Sequence, residues 1–170
     1  MSKKHQYETH MVWTGNQGEG TKTYRSYKRN FTVTAQGKPE LLGSSDHAFR
    51  GDADRYNPED MLVAALSSCH MLSYLHLCAM NKIVVLAYED NATGTMQERP
   101  DGSGVFTHVQ LNPKVTIALE NDAEKAESLH HKAHELCFIA NSVNFPVENS
   151  PTILKASGLT TSQELGSRSA

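Results

Sequence analysis

The sequence predicts an α+β fold in which largely antiparallel sheets pack around a long central helix, and three observations carry that expectation. Met61 to Met80 form a mostly apolar run with a sharply marked start; two strand-like runs, Ile83 to Met96 and Val105 to Leu119, flank a turn-forming stretch; and Ala123 to Ala140 repeats apolar residues at helical spacing. A chain of 170 residues with 38% hydrophobic content can bury a respectable core without disulfide staples, so one domain over residues 1–156 is expected. The net charge of −3 argues against a surface built to bind nucleic-acid phosphates. Three cysteines, an odd number, follow an N-terminus, MSKKHQYETH, that has no apolar secretory core. Both features place the protein in a reducing cytoplasm, with its thiols free or catalytic.

Taken in order, Tyr7 to Trp13 mixes aromatic, β-branched and polar residues before Gly15, Gly18 and Gly20, which predicts a strand and a turn. Lys22 to Ala35 predicts a longer second strand, with Thr23, Arg25, Tyr27, Arg29, Phe31 and Val33 on one face. Interleaved basic and aromatic residues could clamp single-stranded nucleic acid, but a wetted strand face accounts for them as well and agrees with the acidic balance. Gln36 to Pro39 is a turn, Glu40 to Leu42 a short strand, and Gly43 to Tyr56 a polar loop carrying Phe49, Arg50, Gly51 and Asp52.

The central helix follows. Asn57 suits its N-cap, Pro58 its first position, and Glu59 and Asp60 the positive end of its dipole. Apolar residues on every side of it predict that protein surrounds it. A bilayer span needs a similar run of about 20 residues. Ser67, Ser68, His70, Ser73, His76 and two cysteines interrupt this one, no second such run exists and no basic flank orients it, so a core helix is expected and a membrane is not. Beyond it the two strand-like runs form a hairpin across Arg99 to Gly104. Asn121 and Asp122 offer an N-cap for a second helix over Ala123 to Ala140, Phe145 to Val147 and Thr152 to Lys155 are extended, and Ser157 to Ala170, without periodicity, is expected to be a mobile tail.

Cys69 sits near the middle of the central helix, where a free cysteine is ordinarily a small inert hydrophobe. Cys78, nine residues on, lies about 180° around the axis and about 13 Å along it, which no disulfide can span. Cys137 belongs to the second helix, and if the two helices pack side by side a Cys69–Cys137 dithiol is feasible. His130 and His134 share a face with Cys137 one turn beyond, half of a possible zinc site joined by His131. The usual closed set of four ligands is not evident, the metalloprotease glutamate is absent, and histidines at the negative end of a helix dipole explain the cluster without a metal.

The phrases FRGD at 49–52, NPED at 57–60, SSCHMLSYLH at 67–76 and HELCFIANSVNFPV at 134–147 together resemble the OsmC/Ohr family of organic hydroperoxide reductases, its OsmC-like branch in particular, over about residues 9 to 156. That resemblance implies an OsmC-like fold, an intertwined homodimer, and a thiol peroxidase whose peroxidatic cysteine is Cys69 and whose resolving cysteine is Cys137. It also matches Arg50 and Glu59 to an assisting arginine and glutamate, with Arg25 and Arg29 as rivals to Arg50 and Arg55 a weaker one.

The chemistry is self-consistent. A thiolate attacks the peroxide, the sulfenic acid condenses with a second thiol, and a dithiol reductant, a lipoyl group being one candidate, resets the disulfide without any cofactor. Arg50 would stabilise the thiolate and bind peroxide oxygens, and Glu59 would orient Arg50 through a bidentate pair. His70 points about 100° away from Cys69 and is expected to pack or hydrogen-bond. Phe49, Met71, Phe138 and Phe145 would line an apolar pocket suited to alkyl or lipid hydroperoxides. Glu59 and Cys69 are about 15 Å apart along one helix, so a site shared between two copies is expected. The alternatives are a redox sensor and a metal-binding module using Cys137 and the histidines.

Overall fold

A computed structural model of the chain describes residues 3 to 156, and the tail expected over 157–170 lies outside the described residues. Two compact units divide the chain, one ending at Ala65 and the other beginning at Leu66. In the first, β1 (His10–Trp13), β2 (Phe31–Thr34) and β3 (Leu41–Gly43) form an antiparallel sheet in that order. The strand expected over Lys22 to Ala35 therefore keeps only its last part. Arg29 is the reason: its guanidinium donates to the carbonyls of Tyr24 and Tyr27, each at 2.7 Å, and lies 4.2 Å from the centre of each of their rings. A side chain that satisfies two nearby carbonyls holds the backbone in a turn rather than a ladder. The alternation of basic and aromatic residues comes from this cation–π cluster.

The long helix α1 (Pro58–Met80) starts and stops where local chemistry dictates. Asn57 Oδ1 accepts from the Asp60 N–H at 2.7 Å while Asp60 Oδ2 accepts from the Asn57 N–H at 3.4 Å, a reciprocal capping box. At the other end Lys82 takes a left-handed φ of 60°, and the Lys82 and Ile83 N–H groups donate back to Ala79 and Cys78. That is the Schellman stop, with Ile83 joining Cys78 in the core. The burial expected on all sides is absent within the described chain. Leu66, His70, Tyr74 and Cys78 make one buried stripe, whereas Leu72 and Met80 are 63% and 71% exposed. α1 has the length and apolar content to cross a membrane, yet its stripe carries a histidine and a tyrosine inside protein.

The second unit contains β4 (Val85–Asp90), β5 (Thr93–Glu98), β6 (Gly104–Leu111), β7 (Pro113–Ile117), α2 (Ala123–Leu136), β8 (Val147–Asn149) and β9 (Thr152–Lys155). They form two sheets, β4-β7-β9 and β5-β6-β8, in each of which the middle strand is antiparallel to one neighbour and parallel to the other. Both are thus mixed rather than wholly antiparallel. The expected hairpin turns at residues 99–103, but each of its long arms is broken in two. Asp90 Oδ1 accepts from the Asn112 N–H at 2.7 Å, Asn112 Nδ2 donates to the Asn91 carbonyl, and Pro113 has no N–H to offer. These side-chain bonds replace the ladder at the break and send the two halves into different sheets.

α2 is shorter than the expected Ala123 to Ala140. Asp122 caps its start by accepting from the Lys125 N–H at 3.1 Å, and it ends at Leu136 with Cys137 as its extended C-cap. The residues beyond continue into a 3-10 turn, Ala140–Ser142, whose tight spacing imitates one more helical turn. Tyr74, Cys78, Ile83, Val115, Ile117, Ala126 and Ala133 form the core where α1, α2 and the β4-β7-β9 sheet meet.

Candidate active site

Cys69 lies on α1 between the buried Leu66 and His70, which leaves its side chain half-exposed at the edge of the stripe. Cys137 is buried, 1% exposed, and its thiol lies close enough to Cys69 to feel that side chain. The two sulfurs singled out in the sequence therefore meet. Burial first, and then the neighbouring Cys69 side chain, push the Cys137 thiol up to about 11, while the Ala140 N–H, donating to Cys137 Sγ at 3.4 Å, pulls the other way. Cys137 is consequently a protonated thiol near neutral pH, held by a turn and unable to act as a free nucleophile until something approaches it. All three cysteines are free thiols. Cys78 points into the core, packs with Tyr74, and is raised by burial, which makes it an inert packing group.

The histidine cluster does not converge on Cys137. His130 is buried and bonded to His70 at 2.9 Å, His131 is exposed and reaches Glu135 at 3.3 Å, and Cys137 turns to Cys69. Among the described residues no group of three His, Cys, Asp or Glu side chains could hold a metal ion. The His70–His130 pair was not foreseen, although a signal for it exists. His70 falls on the i, i+4 series Leu66, His70, Tyr74, Cys78, and His130 lies between Ala126 and Ala133, so each histidine occupies a core position.

In the first unit, Arg50 ends the 3-10 turn His47–Phe49, which Asp46 caps by accepting from the Ala48 N–H at 2.7 Å. The loop is tight: a Cβ at Gly51 would fall 1.6 Å from the Ser45 carbonyl oxygen, so only glycine fits there. Arg50 itself has a φ of 65°, an uncommon left-handed conformation for a residue with a side chain. Its guanidinium is 5.9 Å from the Tyr24 ring and, among the described residues, forms no ion pair. Of its rivals, Arg29 is committed to two carbonyls and two rings, and Arg25 is an exposed turn residue. Arg55, half-buried, lies in the field of Asp52. Glu59 is half-buried, and the Arg50–Glu59 ion pair expected from the sequence does not form within the described residues; Asp60, not Glu59, makes the capping contact. Of the expected apolar lining, Phe145 stacks on Phe106 at 5.4 Å, Met71 is half-buried and Phe138 is 74% exposed.

The family model described as OsmC-like protein matches residues 51–150. Among solved structures, an OsmC-like protein of unknown function from Vibrio cholerae is 33% identical, with 88% of this chain and 100% of that one covered and a TM-score of 0.79. An organic hydroperoxide resistance protein from Elizabethkingia anophelis shares the fold at 19% identity, with 92% and 100% covered and a TM-score of 0.66. Another, from Legionella pneumophila, does so at 16% identity, with 90% and 99% covered and a TM-score of 0.61. No curated protein sequence matches the chain.

Proposed function

Because the chain belongs to the OsmC-like protein family, we propose that it is a cysteine-based thiol peroxidase that reduces organic hydroperoxides to alcohols. The observation that carries this reading is the contact between a half-exposed thiol, Cys69, and a buried one, Cys137, with no third thiol beside them to compete. The Cys69 thiolate attacks one peroxide oxygen, the O–O bond breaks, and the departing alkoxide takes a proton to become an alcohol. Cys69 is left as a sulfenic acid. The Cys137 sulfur then attacks Cys69 Sγ, the S–O bond breaks, and the proton released by Cys137 leaves with the hydroxyl as water.

A dithiol reductant returns the disulfide to two thiols by two exchange steps, and a reducing cytoplasm is the compartment that maintains such a reductant. Arg50, without an ion pair among the described residues, is the cation we assign to the thiolate and the peroxide oxygens, with Glu59 as its orienting carboxylate. Glu59 and Cys69 are about 15 Å apart along α1, so this assignment brings Arg50 and Glu59 from the second copy of a homodimer.

Intact mass before and after one equivalent of an organic hydroperoxide tests the reading. Loss of two hydrogens, with a Cys69–Cys137 peptide after digestion, is the expected result. An unchanged mass overturns it, and a protein that oxidises once but is not turned over by a dithiol would be a sensor instead.

A further inference from the structure

Beside the dithiol stand two imidazoles that the peroxidase chemistry leaves unused. His70 follows Cys69 on α1, and its Nε2 lies 2.9 Å from Nδ1 of His130 on α2. Each ring is 1% exposed. His130 also stacks on Tyr74, one turn further along the same stripe, with ring centres 3.8 Å apart and planes 14° from parallel. The outer nitrogens, His70 Nδ1 and His130 Nε2, have no hydrogen-bond partner among the described residues, so each ring bonds the other. Burial keeps both rings neutral, one donating its N–H and one accepting.

A hydrogen bond between two such rings is directional in a way that an apolar contact is not. Leu or Ala surfaces tolerate a slide of an ångström, but an N–H···N bond weakens steeply once its distance and angle are lost, and two buried ring nitrogens would then be left without any partner. The pair is joined to the thiols on both helices. On α1 it lies next to Cys69; on α2 it lies seven residues, about two turns, before Cys137. Two contacts set side by side on α1 but two turns apart on α2 fix both the position and the direction of the segment that delivers Cys137.

We propose that His70 and His130 are positioning residues whose hydrogen bond locks α2 against α1 and so holds the Cys137 sulfur on Cys69 for disulfide formation. The peroxidase reading supplies the step this serves, but the juxtaposition of the two thiols can be measured without peroxide.

The test uses His130→Phe, which keeps a ring for Tyr74 and deletes the bond, His130→Gln, whose amide can remake the bond to His70, and His70→Phe, which breaks it from the other side. Equilibration of each full-length protein with reduced and oxidised dithiothreitol reads the effective concentration of Cys69 and Cys137 for each other. His130→Phe and His70→Phe are expected to lower it by about tenfold, equivalent to about 30 mV towards easier reduction, while His130→Gln stays within about threefold of the parent. Given an organic hydroperoxide, the Phe variants should form the Cys69 sulfenic acid at the parent rate and hold it about tenfold longer before the disulfide appears.

A parent-like dithiol equilibrium in either Phe variant overturns the proposal, as does a His130→Gln protein impaired as much as His130→Phe. The two Phe variants alter different helices, so a folding defect in one leaves the other to decide, and if neither folds, a His130→Gln protein whose dithiol equilibrium falls about tenfold or more below the parent overturns the proposal, whereas one within about threefold supports it. If the parent ignores peroxide yet the dithiol equilibrium responds as described, the peroxidase reading fails and the clamp stands.

Discussion

Exchanging Cys69 for serine replaces a polarisable sulfur that can ionise with a hydroxyl that stays protonated, so the O–O bond loses its attacker. Peroxide consumption by Cys69→Ser is expected to fall on the order of a thousandfold, to the background rate of the buffer, in a coupled dithiol assay. Retained turnover would mean that another thiol does the work. Cys137→Ser should behave differently, because the burial and the neighbouring Cys69 side chain that keep Cys137 protonated suit it to the second step and not the first. Its first turnover is expected at the normal rate, followed by a persistent sulfenic acid that a dimedone-type reagent traps and excess peroxide over-oxidises. Steady dithiol-driven cycling at the parent rate would show that the reductant reaches Cys69 without Cys137.

The α1–α2 pair also makes stability depend on pH. Burial, with a smaller contribution from His134 partly offset by Asp90, lowers His70 to about 4, and burial with the neighbouring His70 lowers His130 to about 3. Unfolded histidines take a proton near 6.5, so between that pH and about 4 the unfolded chain binds more protons than the folded one. The stabilisation is complete above about 6.5 and is lost as pH falls towards 4, amounting to a few kcal/mol at most. Urea midpoints at pH 7 and pH 4.5 should therefore differ in the parent, and differ less in His130→Gln.

The same helices show which features a sequence displays. The start and stop of α1 were legible because Asn57, Asp60, Lys82 and Ile83 act within a few residues of one another. The turn at residues 22–30 was not, since the alternation that suggests a strand comes from Arg29 lying over Tyr24 and Tyr27. Cys69 and Cys137 could be named as candidates, yet the histidine bond beside them joins residues 60 apart, and no local pattern announces which core positions will face each other.

For the molecule as a whole, the outer side of α1 and the position of Glu59 lead to one experiment. Leu72 and Met80 leave apolar surface uncovered on a helix that carries Glu59 and Cys69 about three turns apart, which a second copy crossing it would cover. Mixing Cys69→Ser with Glu59→Ala under conditions that exchange subunits is expected to restore activity approaching one intact site per mixed dimer. Samples that stay inactive despite proven exchange would put both residues to work within one chain.

Arg50 has a different consequence. A left-handed backbone at a residue bearing a long side chain costs roughly 1 kcal/mol, and asparagine, which tolerates that conformation better, would relieve part of it. Arg50→Asn is expected to melt at the same temperature or up to about 3 °C higher while its peroxide rate falls about tenfold or more. Screening variants for heat tolerance alone would then enrich replacements at position 50, and the most thermostable clones from such a screen would be among the least able to survive a hydroperoxide challenge.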